Sequence, residues 1–379
     1  MARRKASILV SPGPVRVSAL DGAVSPLHHR SEAFRAIVRE TESMLRELLG
    51  TGSPVYLLTA SGTGAMEAAI ANATGEGAGG LVVSGGKFGD RWTEICRAYR
   101  LDTDILRFAE GEAIDLDRVI ARVIERRPQF IALTHVESST GLLLPLRELL
   151  SRLGADRPIV IVDAISSLGV EDLEMDAWGI DVVVGAAQKA FAAPPGLSFV
   201  AMGERSRASL RGARANLYYF DLNRYEAGRL AGDLAFTPAI QAVQILRESL
   251  ARMKALGFGA VRARHREASA AFLEAARHLS LESFSPSPSS SVQVLVLPEG
   301  CHAEDVLRNL SGDGFIAANG QGSLRDKVVR TGFLGAFGSR TLRHLVAALG
   351  RAVASSGAAV DFDAADASLR RVPFSDDLL

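Results

Sequence analysis

The chain has 379 residues, of which 47% are hydrophobic and 36 are glycines. This length and apolar content predict a folded protein of two packed domains rather than a disordered chain. Its 43 basic and 43 acidic residues cancel, so no overall field favours nucleic acid or an anionic membrane.

The two cysteines, Cys96 and Cys301, are far apart and form no CxxC pair. Such usage argues against a disulfide framework or a zinc cluster and is typical of a reducing compartment. The first apolar run is short and ends at Pro12, so it does not resemble a signal peptide core. No stretch approaches the roughly 18 apolar residues of a membrane span. We therefore expect a cytoplasmic protein that binds neither nucleic acid nor membrane.

Strand and helix patterns alternate along the first two thirds of the chain. Residues 1–30 predict an extended arm, because residues 11–30 are rich in Pro, Gly and Ser. Predicted strands lie at 55–59, 80–84, 130–135, 159–163, 181–185 and 197–202, and predicted helices at 31–49, 90–99, 115–125, 146–153 and 237–256. Strands that alternate with helices indicate an α/β domain over 31–256, with a mainly parallel sheet covered on both faces.

The remaining residues predict a smaller α+β domain over 257–360. Its predicted helices lie at 262–279, 303–310 and 339–355, and its predicted strands at 292–297, 315–318 and 327–331. A serine- and proline-rich run at 285–291 interrupts the pattern. Weak patterning over 361–379 predicts a loosely ordered tail.

Two neighbouring predicted strands deliver an acid and a lysine at their ends. Asp163 ends the strand at 159–163, and Gln188 and Lys189 follow the strand at 181–185. Carboxyl ends of parallel strands line the ligand crevice of an open sheet, so Asp163 and Lys189 could face one bound molecule. A buried lysine can lose its proton and form a Schiff base. A structural ion pair explains the same two residues.

A glycine turn opens the helix that follows the first predicted strand. In the sequence SGTGAME, Ser61, Gly62 and Thr63 would present backbone N–H groups and hydroxyls at the positive end of a helix. Such an end suits a phosphate. The alternatives are a simple N-cap with glycines that pack the helix, or a nucleotide-binding module. The turn matches neither the dinucleotide fingerprint nor the Walker pattern.

Two further loops offer contacts for a flat ligand. Phe88 lies in GGKFGDRW, on what we predict to be a glycine-flanked loop after a strand, where its ring could stack on a ligand or simply cap the core. Ser138 lies in THVESSTG after another strand and could donate to a ligand oxygen. The polar residues of that loop, Glu137 among them, could instead only brace it.

In chain order, these motifs resemble the class V pyridoxal-phosphate aminotransferases of the alanine–glyoxylate and serine–pyruvate type. The matching stretches are SPGPV, ASGTGAMEAA, GGKFGDR, HVESSTG, VDAISSLG, AAQKAFAAPPG, FTPAIQAVQILRESL and VVRTGFLG, and they cover most of residues 11–335. The resemblance implies the type I PLP-dependent transferase fold, pyridoxal 5′-phosphate as cofactor, and a homodimer with shared active sites.

The resemblance also assigns residues to the cofactor. Lys189 would form the Schiff base and move the substrate proton, and Asp163 would pair with the ring nitrogen. Phe88 would stack on the ring where the family often has Trp or Tyr, and Ser138 would approach the ring's phenolic oxygen. The phosphate contacts would come from a further set of residues, namely Ser61, Gly62 and Thr63, with Gln188 nearby and Thr237 reaching the phosphate in the partner subunit.

For the substrate, the resemblance implies that Arg330 binds the carboxylate through its bidentate fork. Gly13, in the arm, would line the entrance. Val136 stands where close relatives commonly have glycine, so the loop around it bears on specificity. Without the resemblance, Arg330 would be taken for a surface charge at the end of a strand.

The implied reaction moves an amino group from a small amino acid to a 2-oxo acid such as glyoxylate or pyruvate. A PLP-dependent lyase or a specialised biosynthetic enzyme on the same fold is the alternative. Cysteine desulfuration is disfavoured, since the loop at 318–327 lacks a cysteine. A non-catalytic relative is disfavoured because Asp163, Lys189 and Arg330 occur together.

Overall fold

A computed structural model describes residues 8–15, 17, 24, 26–154, 156–208, 216–335 and 338–370. The strands are β1 (Ile8–Leu9), β2 (Val55–Leu58), β3 (Gly79–Ser84), β4 (Asp102–Arg107), β5 (Phe130–Thr134), β6 (Val136–Glu137), β7 (Leu142–Leu143), β8 (Ile159–Asp163), β9 (Val182–Ala186), β10 (Ser198–Met202), β11 (Glu282–Ser283), β12 (Val292–Val296), β13 (Phe315–Ile316), β14 (Ala318–Asn319) and β15 (Val328–Gly332).

The helices alternate with these strands in the first part of the chain and surround them in the last part. They are α1 (Glu32–Leu49), α2 (Gly62–Ala73), α3 (Lys87–Ala98), α4 (Leu116–Arg126), α5 (Leu146–Leu153), α6 (Glu204–Arg207), α7 (Leu222–Leu230), α8 (Ile240–Leu256), α9 (Phe258–Arg277), α10 (Ala303–Gly312), α11 (Ser339–Ala354) and α12 (Phe362–Arg370). A 3₁₀ turn spans Gly322–Leu324.

A seven-stranded sheet in the order β2-β10-β9-β8-β5-β3-β4 forms the centre of the larger unit. All neighbouring strands are parallel except β10, which is antiparallel to both β2 and β9. Both faces are buried, as β8 shows: Val160 and Val162 join one hydrophobic cluster and Ile161 the other. The prediction of a mainly parallel sheet covered on both faces is confirmed.

The direction of β10 decides where the polar strand ends meet. Because β10 opposes both of its neighbours, β2 points the same way as β8 and β9. The carboxyl ends of β2, β5, β8 and β9 therefore share one edge of the sheet. This edge is where a ligand crevice forms in doubly wound folds.

The smaller unit is built on a four-stranded antiparallel sheet in the order β11-β12-β15-β14. Its core includes Phe272 of α9 and Phe333 after β15, whose ring centroids lie 4.7 Å apart. The arm joins this unit, because Ile8–Leu9 pairs in parallel with Phe315–Ile316. The predicted α+β character of this part of the chain is confirmed.

The serine- and proline-rich run at 285–291 does more than interrupt a pattern. It extends to the β6–β7 hairpin of the larger unit, where Leu143 N donates to Ser287 O at 2.8 Å and Ser289 N donates to Gly141 O at 2.9 Å. Leu142 also forms an isolated antiparallel bridge with Pro288. This run therefore connects the two units through backbone hydrogen bonds.

The prediction of a loosely ordered tail is wrong for residues 362–370, which form α12. Ala365 and Leu369 are spaced four apart and are both buried, and α12 packs on α9. Asp361 Oδ1 accepts from Ala364 N at 2.9 Å and closes the helix start. The rest of the predicted tail, 371–379, lies outside the described residues.

Some helix starts and strands also differ from the predictions; α9, for example, begins at Phe258 rather than 262. α3 begins at Lys87 rather than 90, and α8 begins at Ile240, so Thr237 precedes that helix. β4 at the sheet edge was not predicted, because its sequence DTDILR shows no alternation of polar and apolar residues. No helix within the described ranges has both the length and the apolarity to cross a membrane.

Candidate active site

Eight of the predicted site residues line one cavity of about 230 Å³ at the carboxyl edge of the sheet. They are Gly13, Ser61, Gly62, Thr63, Phe88, Asp163, Gln188 and Lys189. A larger cavity of about 270 Å³ lies between α1 and α7. There, the charged groups Arg35 and Asp233 pair with each other at 3.4 Å. We take the smaller cavity as the candidate site, because it gathers eight of the predicted site residues.

The start of α2 forms one wall of this cavity. Ser61 Oγ accepts from Gly64 N at 3.3 Å, so the N-cap interpretation is confirmed. A Cβ on Gly62 would lie 2.6 Å from Ile165 Cδ1, so glycine lets the helix approach the loop after β8 without moving that side chain. The first N–H groups of a helix lack intrahelical acceptors and favour an anion. Capping by Ser61 and anion binding are therefore compatible.

Asp163 ends β8 and is only 4% exposed. Its Oδ1 accepts from Ile165 N at 2.8 Å, and no donor within the described residues contacts Oδ2. Burial raises the pKa of the Asp163 carboxyl to about 7, although Lys189 and Arg91 oppose this. A cation placed beside Oδ2 would restore the ionised form.

Lys189 follows β9 and lies opposite the arm. Its Nζ donates to the carbonyl oxygen of Pro12. Burial lowers the pKa of Lys189 to about 8; the charge of Asp163 opposes this shift and that of Arg330 adds to it. A far larger share of this amine than of an ordinary lysine is therefore neutral near physiological pH and can act as a nucleophile or base.

Gln188 precedes the lysine and is held by the arm through its backbone, since Val15 N donates to Gln188 O at 3.3 Å. Its side-chain Oε1 is buried and has no hydrogen-bond partner among the residues that the structure describes. A buried acceptor without a partner costs free energy, so this atom favours a ligand that donates to it or a bridging water.

The prediction that Phe88 lies on a loop is wrong, because Phe88 occupies the first turn of α3. Arg91, one turn later, places its guanidinium carbon 5.0 Å from the centroid of the Phe88 ring and donates through Nη1 to Thr63 Oγ1 at 3.1 Å. Arg91 also lines the cavity. The sequence reasoning missed it because the three-residue spacing has meaning only on a helix.

Three predicted residues are not among those that line the cavity. Arg330, on β15, is 7% exposed; its Nε donates to Asn319 O at 2.8 Å and its Nη1 to Ser138 O at 3.1 Å. Ser138 thus meets the arginine through its carbonyl. Thr237 is exposed, apart from the cavity. Arg330 is nevertheless close enough for its charge to lower the pKa of Lys189.

Comparison with known proteins places the chain in a family. The sequence matches the family described as aminotransferase class-V over residues 17–333. The chain belongs to the class-V aminotransferases. As such, it is a transferase enzyme whose cofactor is pyridoxal 5′-phosphate.

Individual relatives cover nearly the whole of this aminotransferase. A protein named soluble hydrogenase, small subunit, from Synechococcus is 33% identical over 93% of this chain and 94% of its own. The L-aspartate–glyoxylate aminotransferase of Paracoccus denitrificans is 29% identical over 86% of this chain and 85% of its own. The solved ureidoglycine–glyoxylate aminotransferase of Bacillus subtilis is 25% identical with a TM-score of 0.89, covering 97% of this chain and 99% of that one.

The cavity of this aminotransferase fits the cofactor group by group. Lys189 offers an amine for the aldehyde, and Asp163 has a carboxylate oxygen free for the ring nitrogen. The start of α2 suits the phosphate, and Phe88 offers a ring face. Within the described residues, Oε1 of Gln188 has no hydrogen-bond partner and could accept a hydrogen bond from a bound group.

The lowered pKa of Lys189 predicts how cofactor uptake depends on pH. Only the neutral amine attacks the aldehyde, so the rate of recombination of apoenzyme with pyridoxal 5′-phosphate should rise with pH and level off above about 8. An unperturbed lysine would keep gaining about tenfold per pH unit up to about 10.4. The check is stopped-flow absorbance of the bound cofactor across this range. A rate that still climbs steadily past pH 9, about one unit above this pKa, would contradict the lowered pKa of Lys189.

Gly13 of this aminotransferase lies against the lysine side chain. A Cβ built there would come within 2.7 Å of Lys189 Nζ, and the backbone has φ +122°. Gly13→Ala should therefore displace the amine and lower kcat by about tenfold or more. Gly300→Ala is the matched control, because its φ is +78° while no atom lies within 4 Å of its Cβ position. Equal losses of kcat in both variants would refute the contact argument.

Proposed function

We propose that this enzyme moves the amino group of a small amino acid to a small 2-oxo acid such as glyoxylate or pyruvate. The observation that supports it most is the lowered pKa of the Lys189 amine, which shares one cavity with the carboxylate of Asp163. The cavity of about 230 Å³ must hold the cofactor as well as the substrate, which favours a short substrate side chain. Two of the relatives above carry glyoxylate in their names.

In this proposal, the chain holds the cofactor at both ends. Lys189 would bind its aldehyde carbon, Asp163 would keep a proton on the ring nitrogen, and the start of α2 would bind the phosphate. When bound, the cofactor supplies an electron sink that weakens the Cα–H bond of the attached amino acid. The Nζ of Lys189 would serve as the base that accepts the Cα proton of the substrate.

Arg330 is proposed to bind the substrate carboxylate. The backbone carbonyls of Asn319 and Ser138 accept from its Nε and Nη1 and so fix the plane of the guanidinium. The remaining N–H groups can then donate to a carboxylate with little loss of side-chain entropy. Because the same arginine serves donor and acceptor, both substrates are expected to be 2-substituted carboxylates.

A homodimer that shares its active sites completes the proposal. Thr237 is exposed and lies just before α8, so it is available to a second subunit. Tyr218 and Leu230 in the same part of the chain are 66% and 73% exposed, which supports an interface there. The sequence contains only two cysteines, Cys96 and Cys301, and both are buried, a usage that supports a cytoplasmic location.

The proposal is tested by single-turnover reactions with a panel of amino acids. Small donors should convert the cofactor to its amino form and release the matching 2-oxo acid, and glyoxylate or pyruvate should reverse the change. Arg330→Met should raise KM for both substrates by about 10²-fold, since a charged hydrogen-bonded pair is lost, while Arg325→Met, at an exposed position nearby, should not. Release of ammonia in place of cofactor conversion would indicate a lyase and overturn the proposal.

A further inference from the structure

Helix α3 carries the stacking residue but has no cap of its own. Its N-cap position is Gly86, which offers no side-chain acceptor. The first N–H groups of such a helix need acceptors from elsewhere when they are shielded from water. Phe88 and Gly89 lie in this first turn, and Gly89 is buried.

The acceptor comes from the β6–β7 hairpin, nearly 50 positions along the chain. Glu137 Oε2 accepts from Phe88 N at 2.9 Å and from Gly89 N at 3.0 Å. A carboxylate at the positive end of a helix is favourable, and burial strengthens the interaction. Glu137 is only 3% exposed and does not border the cofactor cavity.

The second oxygen of Glu137 is occupied within its own hairpin. Oε1 accepts from Ser139 N at 3.1 Å and from Ser139 Oγ at 2.5 Å. Ser139 Oγ in turn accepts from Lys87 N at 3.1 Å. Together, the two side chains hold the three consecutive N–H groups at the start of α3.

The hairpin approaches so closely that only glycine fits at the N-cap. A Cβ on Gly86 would lie 2.5 Å from Ser139 Oγ and 2.7 Å from Glu137 Cγ. Burial raises the pKa of Glu137 above its ordinary value, while the donors around it act in the opposite direction. The contacts to Oε2 are both N–H donors, which match an unprotonated oxygen.

We propose that Glu137 is a positioning residue of the cofactor site: its buried carboxylate caps the N-terminus of α3 from a distant segment of the chain and so fixes the position of the Phe88 ring. The inference rests on the proposed cofactor role of Phe88. Ser138, next to Glu137, accepts from Arg330, so the same hairpin orients the proposed substrate arginine. Glu137 thereby links the position of the ring to that of the carboxylate binder.

The test measures binding of pyridoxamine 5′-phosphate to apoenzyme, because this form cannot bond to Lys189 and reports only the non-covalent site. Glu137→Ala should weaken binding by about tenfold and reduce the circular dichroism of the bound cofactor. Glu137→Gln keeps one acceptor oxygen for the N–H groups of Phe88 and Gly89 and should lose less. Ser139→Ala, a milder change, should fall between Gln and wild type.

A double-mutant cycle separates positioning from general destabilisation. In a Phe88→Ala background, Glu137→Gln should cause no further loss of cofactor affinity, because the two residues act through one contact. Asp181→Asn is the control for stability: Asp181 is a buried carboxylate that accepts from Val160 N at 2.9 Å, at the far end of β9. It should lower the melting temperature without changing cofactor affinity.

The outcomes are distinct for the two proposals. Failure of wild-type apoenzyme to bind either cofactor form would overturn the proposed function itself. Wild-type binding with unchanged affinity and dichroism in all three variants of Glu137 and Ser139 would overturn only the inference. Fully additive losses in the cycle with Phe88→Ala would also overturn it.

Discussion

Lys189→Ala should lower the rate of amino transfer by about four orders of magnitude, the upper range for loss of a positioned acid–base group. The variant loses the amine that takes the substrate proton, while the turn at the start of α2, Phe88 and Asp163 remain. Cofactor should therefore still bind, but its visible absorbance should match that of the free aldehyde. Steady-state turnover and absorbance spectra measure both effects.

The control for this substitution is Lys254→Ala, which removes a surface lysine paired with Glu47 at 2.6 Å. Small primary amines added to Lys189→Ala should restore part of the rate, and stronger bases of equal size should restore more. Turnover within tenfold of wild type would remove Lys189 from the reaction.

Asp163→Asn should lower kcat by about 10²- to 10³-fold, the cost of losing one buried charge contact to a reacting group. The amide keeps an oxygen for Ile165 N, so the loop after β8 should retain its shape. An amide cannot stabilise a protonated ring nitrogen, and the electron sink is weakened. Single-turnover rates with a saturating amino acid measure the loss, and a loss below tenfold would refute the role.

The same variant should alter the stability of the apoenzyme in a pH-dependent way. The pKa of Asp163 is raised to about 7 in the folded chain, above its ordinary value of 3.8. The folded state therefore holds this proton more tightly than the unfolded state, and stability falls as pH rises between those two values. Above about pH 7, Asp163→Asn should melt at a higher temperature than wild type, and below about pH 4 the difference should vanish.

The arrangement of the candidate site follows from sequence to the extent that it depends on strand ends. Asp163, Lys189 and the turn at Ser61 each come directly after an apolar run, and the parallel sheet brings such ends to one edge. Family resemblance added Arg330. Without the resemblance, this residue would be taken for a surface charge, because it is far along the chain from the other site residues. Their roles in catalysis stay predictions until the variants are measured.

Features that depend on contacts between distant segments could not be predicted. The start of α3 is capped by Glu137, so local sequence around Gly86 gives no sign that Phe88 is helical. Arg91 was missed for the same reason. A local signal did exist for α12: Asp361 is a suitable N-cap, and Ala365 and Leu369 share one face.

The backbone hydrogen bonds between residues 285–291 and the β6–β7 hairpin determine how the chain can be divided. A truncation after Leu256 would fall between α8 and α9, at Gly257, where φ is +84°. Yet it would remove Ser287 O, the acceptor of the hydrogen bond from Leu143 N. It would also remove Val294, whose Cγ2 lies 3.2 Å from the position of a Cβ built on Gly141. A truncated protein ending at 256 would thus expose the back of the hairpin that carries Val136 and Glu137. The two units are separate in topology, but the hairpin contacts and the proposed carboxylate binder Arg330 both require the intact polypeptide.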